Sequence, residues 1–158
     1  MFVEIYTDGA AQGNPGKGGY GTILTYGGKE KELSEGYRLT TNNRMELLAV
    51  IKGLEILNKD NLKVKIYSDS KYVVDAVNKK WLNNWIKTDF KNKKNEDLWR
   101  RFYNVSKKHT VELIWIKGHN GHEYNERCDI LAVKAAENKN LLIDDFYENL
   151  QKNIYQDL

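Results

Sequence analysis

The period of the apolar pattern changes twice within the first 70 residues, and that alternation limits the fold more than any other feature of the chain. Residues 2–6, Phe-Val-Glu-Ile-Tyr, alternate with a period of two and are β-branched or aromatic, which reads as a strand. Strand signals return at 20–26 and 31–39, across the glycine-rich run Gly13-Asn14-Pro15-Gly16-Lys17-Gly18-Gly19 and then Gly27-Gly28. Connections this short predict an antiparallel meander. From Asn43 the spacing becomes three and four, through Leu47, Val50, Ile51, Leu54 and Leu57, one face of a helix that starts at an Asn42 or Asn43 cap and ends near Asn58. Residues 64–67 restore the period of two. Strand, meander, helix and strand together make a crossover, which sets the first and last of these strands parallel and side by side.

Each of those two strands gives out into an acid, Thr7-Asp8-Gly9 and Tyr67-Ser68-Asp69-Ser70, so both carboxylates are expected at neighbouring strand ends. Glu46 falls in the first turn of the helix between them. Helical patterns fill 70–108, a fifth strand covers 111–116, and a loop through Lys117-Gly118-His119-Asn120-Gly121-His122 leads to a helix over 123–138. That helix sets Cys128, Leu131, Ala132, Ala135 and Ala136 on one face, with Asp129 beside it. The expected class is α/β: a five-stranded mixed sheet, antiparallel meander plus parallel strands, flanked by helices on both faces.

At 158 residues, 41% hydrophobic and 30% charged, the chain suffices for one domain that buries roughly two thirds of its unfolded surface. One cysteine forms no internal disulfide, and the N-terminus runs into a charged strand without a signal-peptide core, so a soluble, cytoplasmic protein is expected. Asn104-Val105-Ser106 matches a glycosylation sequon by accident in such a setting. The net charge of +3 announces no polyanion partner by itself. Its distribution does: 79–101 holds eight Lys or Arg against three acids, with Trp81, Trp85, Phe90 and Trp99 interleaved. Trp85 and Trp99, at helical spacing from Leu82 and Phe102, are expected in the core and Trp81 at the surface.

Asp8, Glu46, Asp69 and Asp129 thus stand at element ends near one point. Each alone reads as a cap or a solvated acid. Four together raise one another's pKa and call for bound cations, and oxygen-only donors suit Mg²⁺ or Mn²⁺. Two such ions about 4 Å apart clamp a phosphodiester for hydrolysis. The glycine run fails as a phosphate loop, because Lys17 is followed by Gly18 and a strand, where a P-loop needs Ser or Thr and a helix. His119, His122 and Cys128 are too few and too irregularly spaced for zinc.

In order along the chain, Thr7-Asp8-Gly9 with Gly13-Asn14-Pro15-Gly16, Thr40-Thr41-Asn42-Asn43-Arg44-Met45-Glu46, Ser68-Asp69-Ser70, Trp115-Ile116-Lys117-Gly118-His119 and Asn125-Glu126-Arg127-Cys128-Asp129-Ile130-Leu131-Ala132 resemble the bacterial type 1 ribonuclease H family. The resemblance implies a ribonuclease H-like fold over 1–140 and an endonuclease that hydrolyses the RNA strand of RNA–DNA hybrids, leaving 5′-phosphate and 3′-hydroxyl ends. It implies two Mg²⁺ ions held by Asp8, Glu46, Asp69 and Asp129, with Asp8 shared between them. His119 is then a loop residue for proton transfer or product release. It implies further that Asn14, Asn42 and Asn43 reach the minor groove, that Thr41 grips a DNA phosphate, and that Trp81 stacks on a DNA sugar. The segment 79–101, with Lys91, Lys93 and Lys94, resembles the family's basic protrusion.

The sequence departs from the family pattern in three places. Ala10 stands where Ser is common, and Lys71 stands where Gln is familiar, which turns a polar contact to the hybrid into a phosphate contact. The extension 141–158 lies beyond the resemblance, with Phe146, Leu150, Ile154 and Leu158 at intervals of four as in a docked helix. A monomer without membrane contact is expected. The rival readings are a non-catalytic hybrid-binding module, which would be expected to lack one of the four acids, and an ATPase of related architecture, whose second subdomain has no room in 158 residues.

Overall fold

The computed structural model of the chain describes residues 1–118 and 120–156. The meander consists of β1 (Val3–Gln12), β2 (Gly16–Tyr26) and β3 (Lys29–Thr40), and helix α1 (Asn42–Glu55) leads from it to β4 (Lys63–Ser68). Three helices follow, α2 (Lys71–Asn78), α3 (Trp81–Lys87) and α4 (Glu96–Ser106), then β5 (Thr110–Trp115), α5 (Glu123–Ala136) and α6 (Asp145–Gln156). The sheet order is β3-β2-β1-β4-β5, antiparallel across the first three strands and parallel across the rest, so the crossover deduced from the change of period is present.

The strand limits differ from expectation in an instructive way. β1 does not stop near Tyr6 but runs on through Asp8 to Gln12, and β2 starts at Gly16, not Tyr20, because the two pair as far as Gln12 opposite Lys17. Asp8 therefore lies inside a strand and not at its end. What ends near it is the parallel ladder between β1 and β4, whose last pair is Tyr6 and Tyr67. Helix α1 is capped by the Thr41 hydroxyl, which accepts from the Arg44 N–H at 3.2 Å, not by Asn42 or Asn43, and the helix ends at Glu55, three residues before Asn58.

Glycines of the meander serve for close approach, Gly19 from the expected turn and Gly21 and Gly36 from within the expected strands. A Cβ on Gly19 or Gly21 of β2 would collide with the Ala132 or Cys128 carbonyl of α5, and one on Gly36 of β3 with that of Ala135. Without those Cβ atoms the small-residue face of α5 lies directly on the strand backbones. On the opposite face, α1 buries Leu47, Val50, Ile51 and Leu54 against Ile5, Val64 and Ile66. Trp99 is fully buried there and Trp85 packs against the same core, as expected. None of the described helices is long and apolar enough to cross a membrane.

Candidate active site

The register of the sheet assembles the acids. Tyr6 stacks on Tyr67, ring centroids 4.8 Å apart, and two residues further along each chain, on the same face by the period of two, stand Asp8 and Asp69. Asp8 also pairs with Gly21, over which the Cys128 carbonyl sits, so Asp129, the next residue of α5, comes to the same edge. Glu46 arrives from the other face. The backbone at Gly9 is packed so tightly on Met45 and Glu46 that no Cβ would fit, and the Gly9 N–H donates to Glu46 Oε1.

Carboxylate oxygens of Asp8, Glu46 and Asp69 lie within 4.8 Å of one another, and Asp129 joins them in lining a single open cleft of about 510 Å³. Asn42, Asn43 and Lys71 line it too, as does Ala10. Asn14 reaches it only indirectly, its Oδ1 accepting from the Asn42 N–H at 3.1 Å. Thr41, Trp81, Lys91, Lys93 and Lys94 do not line the cleft. His119 lies outside the described residues. The backbone leading to it, at Gly118, runs against Asp69, where a Cβ would lie 2.6 Å from Oδ2.

Burial of Asp8 pushes its carboxyl up to about 7, and the charges of Asp69 and Asp129 add to the rise, outweighing hydrogen bonds from Glu46 and the Gly9 N–H. Glu46, more deeply buried and bonded to Asp8, is held well above the carboxylate range. Both carboxyls are thus harder to ionise than an ordinary carboxylate in the absence of a cation. A compact, all-oxygen cluster that resists ionisation fits a hard divalent cation, whose charge offsets both the desolvation and the mutual repulsion. Cys128 is fully buried, and burial holds its thiol above the ordinary range, which removes it as a thiolate ligand.

A carboxyl near 7 when folded and 3.8 when unfolded binds its proton more tightly in the folded state, so its contribution to stability is lost as pH rises from about 4 to about 7. Chelator-treated protein should melt at progressively lower temperature across that window, and a divalent cation should restore the midpoint at pH 8 while doing little at pH 4.5. Thermal scans with and without cation would check this. An equal cation effect at both pH values would show that the ion binds elsewhere.

The basic segment is less basic in space than in sequence. Arg100 pairs with Asp89 and Glu96, Arg101 with Glu55, and Lys79 with Asp75, whereas Lys91, Lys93 and Lys94 are exposed and make no ion pair among the described residues. Trp81, 42% exposed at the start of α3, lies beneath the Lys79 ammonium. Phe90, interleaved with the tryptophans in sequence, is turned inward and 4% exposed.

A mixed five-stranded sheet that collects carboxylates from one strand, the residue just past another and two helices into one open cleft defines a class of metal-dependent enzymes that act on phosphodiesters. The RNase H family model matches residues 2–137. The ribonuclease H of Lachnoclostridium phytofermentans is 54% identical over 159 residues, with 94% of this chain and all of that protein covered. Among solved structures, LC9-RNase H1, a type 1 RNase H with the type 2 active-site motif, superposes with a TM-score of 0.78 at 30% identity over 94% of this chain and 80% of that one. LC11-RNase H1, in complex with an RNA/DNA hybrid, gives 0.62 at 25% identity over 85% and 96%. The chain belongs to the ribonuclease H family, metal-dependent endoribonucleases that act on RNA–DNA hybrids.

Sequence reasoning missed Gly9, whose N–H fixes Glu46, and Arg44, which ties α1 to the rest of the molecule. The absence of any side chain at Gly9, directly after an acid, was the available signal for the first. Arg44 left none beyond its place in a recognised motif.

Proposed function

We propose that the cleft hydrolyses the RNA strand of RNA–DNA hybrids with two Mg²⁺ ions, Mn²⁺ being a possible substitute, and leaves 5′-phosphate and 3′-hydroxyl ends. The observation that carries this reading is the convergence of Asp8, Glu46 and Asp69 within 4.8 Å, with Asp129 on the same cleft. Asp8, central in that group, is the shared ligand, Glu46 and Asp69 serve the leaving-group side, and Asp129 serves the side of the attacking water. When bound, the ions supply a hydroxide nucleophile and stabilise the leaving oxygen.

The chain's own groups do the rest. Burial keeps bulk water from the Asp8–Glu46 pair, and the Gly9 N–H aims Glu46. Asn42 and Asn43, exposed at the start of α1, meet the minor-groove side, with Asn14 bracing Asn42. Thr41 contacts a DNA phosphate, Trp81 packs on a DNA sugar that lacks a 2′-hydroxyl, and Lys91, Lys93 and Lys94 track the backbone, so affinity falls with salt. His119 assists proton transfer or product release. The lone, buried Cys128 suits a cytoplasmic monomer.

The deciding experiment is cleavage of an end-labelled hybrid with Mg²⁺ beside double-stranded RNA and double-stranded DNA. Cutting should be confined to the RNA of the hybrid, and the fragments should accept a 5′ label from a kinase only after phosphatase treatment. Direct labelling would overturn the assignment of ends, and binding without cutting would make this a recognition module.

A further inference from the structure

We infer that Trp115 adds a nucleotide contact at the rim of the carboxylate cleft: its indole face packs on a ribose of the strand being cut, beside the phosphate contact that the family resemblance implies for Lys71. The inference deepens the hybrid-cleavage reading and rests on it.

A single exposed indole is ordinary in itself. Trp115 is 43% exposed, as open as Trp81, but it is held differently. Its Nε1–H donates to the backbone carbonyl of Asp69 at 3.3 Å, and the neighbouring Ile116 N–H donates to the Ser68 carbonyl at 2.9 Å. The orientation of the ring is therefore fixed by the residue that supplies a carboxylate to the cleft. A ring placed in that way keeps a constant position relative to the scissile phosphate, which a freely rotating surface side chain would not.

Lys71 completes the site. It opens α2 two residues after Asp69, lines the cleft with the four acids, and holds its ammonium 4.8 Å from the centroid of the Trp115 ring. An exposed cation–π contact is weak, and a phosphate oxygen is the stronger partner for an ammonium. An arriving backbone draws Lys71 off the ring, and the same step uncovers the indole face next to the phosphate just bound. Trp85 under Lys93 and Trp81 under Lys79 repeat the pairing in the basic segment, at 5.4 Å in each case. Trp115 differs from both in being bonded to the active-site loop.

The test measures hybrid affinity against salt in the Asp8→Asn background, where the substrate survives. Trp115→Leu should weaken binding at least about fivefold with the salt slope unchanged, and Trp115→Phe should recover most of the loss. Lys71→Gln should reduce the slope of log affinity against log salt by about one. Parent-like affinity in Trp115→Leu, or an unchanged slope in Lys71→Gln, overturns the proposal. If Trp115→Leu melts early, the Phe variant and Lys71→Gln decide, since neither removes the packing of a ring. Normal hybrid cleavage by the unaltered chain with parent-like binding in the variants refutes this site alone, whereas failure of the unaltered chain to cut the hybrid refutes the reading beneath it.

Discussion

Asp8→Asn should reduce hybrid cleavage by more than about 100-fold and leave hybrid binding within a fewfold of the parent. Groups one step removed from a metal commonly cost 10–100-fold, so a carboxylate that other acids surround within 4.8 Å must cost more. The amide keeps the shape of the side chain and can still accept from the Gly9 N–H, which now donates to Asp8 Oδ1 at 2.9 Å, so the strand should not shift. Binding survives because the groups proposed to hold the hybrid, Asn42, Asn43 and the lysines, are untouched, and because one negative charge facing a polyanion has been removed. The same substitution should lessen the loss of stability between pH 4 and pH 7, since one of the two raised carboxyls is gone and Glu46 remains to titrate. Single-turnover cleavage, hybrid binding and thermal melting on one preparation separate these effects. Cleavage within tenfold of the parent would remove Asp8 from the centre of the site. Lost binding would mean that the carboxylate holds the fold and not only the cation.

The element types were legible because the chain's periods are clean: two in Val3 and Ile5, three and four from Leu47 to Leu54, two again in Val64 and Ile66. The crossover, and with it the nearness of Asp8 to Asp69, follows from that order alone. What escaped was set by partners distant in sequence. Gly9-Ala10-Ala11 has no strand propensity of its own and becomes strand because β2 satisfies its backbone. Gly19 looks like a turn residue to a local reading, and it and Gly21 in the following strand are understood only when α5 is seen lying on them. Thr41 and not Asn42 caps α1 because the chain leaves β3 one residue earlier than the helical period suggests. Of the candidate substrate contacts that the family resemblance implies, Lys71, Asn42 and Asn43 line the cleft, whereas Lys91, Lys93 and Lys94 rest also on charge density, which the ion pairs of Arg100, Arg101 and Lys79 show to be a coarser guide.

Arg44→Met should cost about 3–5 kcal/mol of folding stability, the expected penalty for removing one partner of a buried ion pair. Arg44 is 3% exposed and lies two residues before Glu46. Its Nε and Nη2 donate to both oxygens of Asp144 at 2.7 and 2.9 Å, and its Nη1 and Nη2 donate to those of Asp97 on α4 at 2.8 and 2.7 Å. Burial alone would lower the guanidinium's pKa, but the two carboxylates outweigh it and hold the charge firmly in place. Asp144 is itself buried, and its only further partners among the described residues are uncharged, the Thr40 hydroxyl at 2.8 Å and the Tyr147 N–H at 3.4 Å, so methionine would fill the volume of Arg44 and leave a carboxylate without a counter-charge in the interior. One guanidinium thus ties the start of α1, the base of the basic segment and the residues before α6, where Leu142 also exchanges backbone hydrogen bonds with Gly36 and Arg38 of β3. Adding Asp144→Asn to Arg44→Met should recover part of the loss, because an amide in that pocket carries no uncompensated charge. Urea unfolding of the two variants and the parent measures both quantities. A loss below about 1 kcal/mol for Arg44→Met would place the network among surface pairs of little consequence. No recovery in the double variant would show that the energy lies in the packing of the arginine stem and not in its charge.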